Sequence, residues 1–180
     1  FFDQSAYFIV SLLKGVDTMH NSSVPRTDAV ENVLQIYGDL LFRICLVMLR
    51  NPIEAEDIVQ DTLLKYLQKA PVFENPEHEK AWLIRVASNA CRDRIRFWKN
   101  HPELTLDELQ LYGSVPENSG ILEALMQIPE KFRIVMILYY VEEYRIEEIA
   151  NIIGKSTSAV KMRLQKGRKL LEALYRKEYL

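Results

Sequence analysis

The chain has 180 residues, with 23 Lys and Arg against 25 Asp and Glu and a formal charge of −2. At 48% hydrophobic and 27% charged, it holds enough apolar side chain for a packed core, which excludes a disordered, collagen-like or disulfide-scaffold protein. Cys45 and Cys91 lie in apolar helical patterns without CxxC neighbours, and His20, His78 and His101 are isolated from them and from each other. Two buried thiols in a reducing cytosol, and no metal site, are expected. There is no run of about 18 uncharged apolar residues, so no membrane insertion is expected either.

The first segment, 1–16, is apolar but carries Asp3 early and Lys14 late, the reverse of a secretory signal. Met19 reads as the natural start, with 1–18 an upstream extension from which no function is drawn. Glycines are few (6), and the 7 prolines fall almost entirely between periodic segments, the punctuation of an all-α chain. Asp28 and Glu31 have capping-box spacing and open a first helix, along which Val30, Val33, Leu34, Tyr37, Leu40, Leu41, Ile44, Cys45 and Met48 recur at helical spacing. Asn51-Pro52 ends it and starts a second helix, with Asn51 as N-cap and Pro52 at the first helical position. That helix runs to about Lys69, where Ala70-Pro71 breaks it. Val72 to Glu77 reads as a loop, and a third helix covers about His78 to Lys99.

The stretch from His101 to Asn118 holds four acids and no Lys or Arg, and Pro102, Gly113 and Pro116 interrupt it. Leu104, Leu106, Leu109 and Leu111 show that part of it could dock. Helical periodicity returns at about 120–128, 130–141 after Pro129, 146–153 and 156–176. The expected fold is all-α: two small helical domains, 27–99 and 119–180, joined by a flexible acidic linker over 100–118 and preceded by an N-terminal extension over 1–26.

The near-zero net charge hides segregation. Lys155 to Lys177 contains eight basic residues and one acid, Glu172, and His78 to Lys99 contains six basic residues and two acids. Two basic surfaces on two domains are the footprint of a polyanion ligand. On the third helix Arg85, Asn89, Arg92 and Arg96 share one stripe, while Leu83, Val86, Ala87 and Ala90 form a buried face. Trp82 and Phe97-Trp98 bracket the stripe. A guanidinium row with aromatics beside it can neutralise phosphates and stack on unpaired bases, although Trp82 taken singly is more often core than platform.

The sharpest motif is C-terminal. Ile146-Glu-Glu-Ile-Ala150, then Gly154, Ser156 and Val160, has helix-turn-helix spacing: Ala150 is small where two helices approach, Gly154 supplies a left-handed turn, Ser156 is an N-cap and Val160 packs inward. In the second helix of the motif Leu164, Leu171 and Leu174 face inward with Val160. Thr157, Lys161, Gln165 and Arg168 form an outward stripe flanked by Ser158, Met162 and Lys166, an inventory suited to phosphates and to base edges in the major groove. The second helix of the chain carries a different surface. Glu54, Asp57, Asp61 and Leu64 are expected to project together with Gln60 between them, while Ile58, Val59, Leu63, Tyr66 and Leu67 supply core. Acids in the first turn complement the helix dipole, which covers Glu54 and Glu56 but not Asp57 and Asp61 further in. An acidic patch with a protruding leucine fits a basic protein surface.

These residues resemble a known family. Glu54-Ala-Glu-Asp-Ile-Val-Gln-Asp-Thr-Leu63 resembles conserved region 2.2 of extracytoplasmic-function (ECF) RNA polymerase sigma factors. Lys80-Ala-Trp-Leu-Ile-Arg-Val-Ala-Ser-Asn89, continued by Arg92-Asp-Arg-Ile-Arg96, is similar to regions 2.3 and 2.4. Ile128-Pro-Glu-Lys-Phe-Arg133 and Ile146 to Arg168 resemble region 4. The resemblance implies a sigma factor with no enzymatic activity, no cofactor and no small-molecule substrate, whose partners are core RNA polymerase, promoter DNA and an anti-sigma factor. It implies a cytoplasmic protein, associated with the nucleoid when part of the holoenzyme. Glu54, Asp57, Gln60, Asp61 and Leu64 would bind the clamp helices of the largest polymerase subunit. Asn75, His78, Lys80, Trp82, Arg85, Asn89, Arg92 and Arg96 would take the −10 element as single strand. Ser156, Thr157, Ser158, Lys161, Arg163, Gln165, Lys166 and Arg168 would read the −35 element, and the acidic linker would run through core polymerase towards the RNA path.

Three positions depart from the family pattern. Ala159 stands where threonine is frequent. Gly167 stands mid-helix where alanine is usual, at a helix-propensity cost of ~1 kcal/mol. Glu142-Glu-Tyr-Arg145 replaces a glycine-containing turn. Two other readings compete. A stand-alone helix-turn-helix repressor or activator binding an operator as a dimer would need neither the second basic stripe nor the acidic helix. An all-helical enzyme would need paired carboxylates, an activated nucleophile, a phosphate loop or a metal motif, and the sequence has none.

Overall fold

A computed structural model describes residues 26–100 and 120–179; the readings made for 1–25 and for most of the acidic linker fall outside them. Among the described residues the chain is helical, with α1 Arg26–Leu49, α2 Pro52–Lys69, α3 Pro76–Asn100, α4 Gly120–Gln127, α5 Glu130–Tyr140, α6 Ile146–Ile153 and α7 Thr157–Tyr179. The all-α expectation holds. The helix starts differ from the sequence reading in two places. α1 begins at Arg26, directly after Pro25 in the sequence, so Asp28 lies inside the first turn rather than capping it. α3 begins at Pro76, because Asn75 caps it by accepting from the His78 N–H at 2.7 Å. Asn75-Pro76 thus repeats the signal of Asn51-Pro52, where the Asn51 side chain accepts from the N–H groups of Ile53 and Glu54 at 3.0 and 3.2 Å.

α1, α2 and α3 form the first unit. Leu41, Ile44 and Met48 of α1, Val59 of α2 and Leu83 and Ile84 of α3 are almost completely buried, each stabilising the unit by roughly 1.5–3 kcal/mol through removal from water. Cys45 and Cys91 are free and buried. The hydrogen bond to Cys91, followed by burial, pushes the Cys45 thiol up, which keeps it inert. By length and composition the stretch Ala29–Leu49, at mean hydropathy 1.5, could cross a membrane, yet 56% of it is buried in the protein; it is the core helix of this unit.

α4 to α7 form the second unit. In α5 every residue from Phe132 to Leu138 is buried, because the helix is covered by α7 on one side, by α6 on another and by α1 on a third. The left-handed residue of the helix-turn-helix is Gly154 (φ 64°). Ser156 caps α7 by accepting from the Ala159 N–H at 3.2 Å, and Val160 and Leu164 are buried on a helix that packs on α4, α5 and α6. In the turn over Glu142–Arg145, Glu143 takes φ 57° without being glycine, a conformation that costs an L-residue about 1–2 kcal/mol.

The two units do not stand apart. α5 packs on the C-terminal part of α1 and α6 packs on α3, so one apolar cluster runs through both units.

Candidate nucleic-acid interface

The acidic face of α2 holds up in part. Asp57 and Asp61 are exposed, and Gln60 and Leu64, on the same face, are half-buried. Glu54 is a correction. It is 9% exposed and its carboxylate is ion-paired with Arg94 of α3, so it turns inward instead of projecting with the aspartates. The reason is its place in the first turn beside α3, where a guanidinium two-thirds buried needs a counter-charge.

Ahead of α3 lies an aromatic cluster. Phe73 stacks on Tyr66 with ring centres 6.0 Å apart and meets Trp82 and His78 edge-on at 5.8 and 5.7 Å. Trp82 is half-buried in this cluster and also meets Tyr66 edge-on, so it is partly core and partly available. The Tyr66 hydroxyl donates to Glu79 at 2.5 Å; burial first and Glu79 second push its pKa up. Sequence reasoning did not single out Phe73, whose only signal was an aromatic in the middle of a polar loop. Asn75, spent as the cap of α3, and His78 are exposed at the mouth of this loop.

The stripe on α3 is present, but it is not open along its length. Arg85 donates to the Asn151 carbonyl of α6 at 2.6 Å, and Lys80 lies over the Tyr144 ring, 4.9 Å from its centre. Arg92 donates to Asn89 at 2.8 Å; burial first and the charge of Arg163 in α7 second pull its pKa down. Arg96 is fully at the surface, paired with Asp93 at 3.1 Å. The candidate −10 row therefore faces the second unit at Arg85 and Arg92, an arrangement that no local pattern could have signalled.

On α7, Ser158, Lys161, Gln165, Lys166 and Arg168 are exposed with Ser156 just ahead of them, while Thr157 and Arg163 are half-buried. Arg168 donates to the Tyr140 hydroxyl of α5 at 3.3 Å. These side chains form a polar, basic surface on the outer side of the helix whose inner side carries Val160 and Leu164, the geometry of a helix presented to a groove.

Two family patterns match this chain: sigma-70 region 2 over residues 33–99 and sigma-70 region 4 over residues 119–171. The chain is 31% identical over 165 residues to the ECF RNA polymerase sigma factor SigW of Bacillus subtilis, covering 80% of this chain and 87% of SigW. It is 28% identical over 150 residues to the ECF sigma factor SigM of Mycobacterium tuberculosis, covering 81% and 76%. Its fold is similar to that of the sigma factor RpoE of Bartonella quintana, solved with the anti-sigma factor NepR, at a TM-score of 0.66 and 24% identity over 82% of this chain and 97% of that one. CnrH, solved with the cytosolic domain of CnrY, gives a TM-score of 0.62 at 22% identity over 94% and 97%. Matched in both of its units and across most of its length, the chain belongs to the ECF RNA polymerase sigma factors, non-enzymatic subunits that direct promoter-specific initiation of transcription.

Proposed function

We propose a division of labour within this sigma factor. The first domain, 27–99, binds core polymerase through Asp57, Gln60, Asp61 and Leu64 on α2, with Glu54 acting through Arg94 to hold α2 on α3. The same domain takes the −10 element with the loop at Phe73 and His78, with Lys80 and Trp82, and with the Arg85, Asn89, Arg92, Arg96 row. The second domain, 119–180, reads the −35 element with Ser156, Thr157, Ser158, Lys161, Arg163, Gln165, Lys166 and Arg168. The linker over 100–118 spans the polymerase between them, an anti-sigma factor restrains the free protein, and the protein joins the nucleoid as part of the holoenzyme.

The observation that carries this reading is the coexistence of three separate surfaces. A capped helix-turn-helix presents bases and hydroxyls outward, a guanidinium row lies beside an aromatic cluster, and an exposed aspartate pair sits on a third helix. A repressor needs only the first of these. The test is transcription from a random promoter library by core polymerase with and without the protein. New transcripts sharing −10 and −35 motifs are expected, and their absence alongside unaided binding to a palindromic site would overturn the reading. With Asp57→Arg and Asp61→Arg together, core affinity should fall at least a hundredfold, since like charges then face a basic surface, while the thermal midpoint stays within a degree or two. Unchanged core affinity would refute the α2 assignment.

A further inference from the structure

Arg133 is the least expected charge in the molecule. It lies on α5, is 6% exposed, and its guanidinium is divided between two helix ends. One arm donates to the Met126 carbonyl near the end of α4 at 3.1 Å, and the other donates to the Met48 carbonyl near the end of α1 at 3.1 Å. The third donor, Nε, is buried without a partner. Carbonyls at a helix C-terminus lack intrahelical donors and carry the negative end of the dipole, so they favour a cation. Burial chiefly, with the charge of Arg50 second, pulls the Arg133 pKa down to about 10.

The first arm serves the second unit alone. The second arm crosses to the first unit and has a purpose only while the units touch. Other contacts cross the same seam: Arg43 with Glu142 at 3.0 Å, Arg85 with the Asn151 carbonyl and Lys80 with the Tyr144 ring. A seam cavity of about 540 Å³ lies beside them, lined from both units by Tyr37, His78, Lys80, Tyr144 and Glu148 among others.

We propose that Arg133 is an interdomain clasp: in the free chain it holds the second unit against the C-terminus of α1, and in that closed arrangement α6 covers part of the arginine row of α3. The covering rests on the reading of that row as a nucleic-acid surface; the clasp does not. Parting the units removes the Met48 carbonyl from its charged donor and frees Arg85, so opening the seam and exposing the row are one event.

The experiment uses the full chain with dyes at Lys65→Cys and Lys169→Cys, both exposed, while Cys45 and Cys91 are 0% exposed and spared. Energy transfer reports the distance between the units, and a pool of labelled random single-stranded DNA about a dozen nucleotides long is the binding probe. Losing a hydrogen bond to a charged donor shifts such an equilibrium roughly tenfold or more. Arg133→Gln is therefore expected to lower the transfer and to tighten DNA binding by about tenfold. Because Arg133→Gln can also weaken the second unit, the Arg43–Glu142 pair, whose arginine is half-exposed and whose glutamate is largely buried, gives an independent arm. Arg43→Glu and Glu142→Arg singly should each open the seam by about two- to threefold, and the two together should close it again. Unchanged transfer in Arg133→Gln and in Arg43→Glu overturns the clasp. Lower transfer without tighter DNA binding overturns the covering of the row. If Arg92→Ala then also leaves promoter opening by the polymerase-bound protein intact, the −10 assignment itself has failed.

Discussion

Gly167 illustrates how a single residue changes meaning between sequence and packing. In the sequence it is a weak point, a glycine in the middle of a recognition helix. In the fold it is where α7 crosses α5: a Cβ there would lie 2.7 Å from Sδ and 3.2 Å from Cγ of Met136, a side chain itself only 5% exposed. Two effects of opposite sign meet. Alanine gains ~1 kcal/mol of helix propensity, whereas overpacking a closed core costs about 1–3 kcal/mol. Met136 is itself buried and Phe132 Cβ lies 3.5 Å from the same point, so the second effect should win. Gly167→Ala is expected to destabilise the protein by about 1 kcal/mol in urea unfolding. In a Met136→Ala background the same change should stabilise it by a similar amount, because the obstacle is gone. Equal effects in both backgrounds would show that the crossing does not constrain the site.

At the scale of the element, α2 carries acids of two kinds at neighbouring positions. Asp57 and Asp61 point to solvent, where an unpaired charge costs nothing, and Glu54 points to α3, where Arg94 needs it. Removing the Glu54 charge leaves Arg94 partly buried and uncompensated. Glu54→Gln should therefore destabilise the first unit by about 2 kcal/mol and reduce core binding only through that loss. Raising osmolyte to refold the variant should restore core affinity, and failure to do so would make Glu54 a direct contact after all. The periodicity of α2 placed all three acids on one broad polar side, since an 18-residue helix shows its faces in sequence. Which edge of that side meets α3 depends on the packing angle of two helices and is not written in either one alone. The start of α3 is the opposite case. Asn75-Pro76 announced it as plainly as Asn51-Pro52 announced α2, and the extended loop expected through Glu77 overlooked a local signal.

For the whole molecule, three tyrosines tie the parts together and set an alkaline limit. Burial raises the pKa of Tyr37, Tyr66 and Tyr144, with Glu79 adding to it for Tyr37 and Tyr66, and Glu142 and Glu148 for Tyr144. Tyr37 in α1 donates to the Pro76 carbonyl at the start of α3, and the Tyr144 hydroxyl is buried without a partner. In the unfolded chain each ionises near pH 10, so below that pH their contribution is complete. Above it the unfolded state loses protons that the folded state keeps, and stability falls as pH rises. Urea unfolding from pH 8 to 11 should show a plateau and then a decline beginning near pH 10, with part of the phenolate absorbance appearing only on unfolding. If all 9 tyrosines titrated together without unfolding, these three would not be held as described.

The sequence by itself determined the helices, their caps, the separation of charge between them and the family, because periodicity, N-caps and i, i+4 spacing are properties of neighbouring residues. Much of the candidate interface was legible for the same reason: Asp57, Asp61, Lys161, Gln165 and Arg168 are where one helix's own geometry puts them. Only the tertiary structure decided that Glu54 turns inward, that Gly167 is a crossing point, that Phe73 joins Tyr66 and Trp82, and that Arg133 joins units whose contacting residues are 85 positions apart. Each of these depends on which surfaces meet across the chain, and burial of apolar area, which is blind to sequence distance, makes that choice.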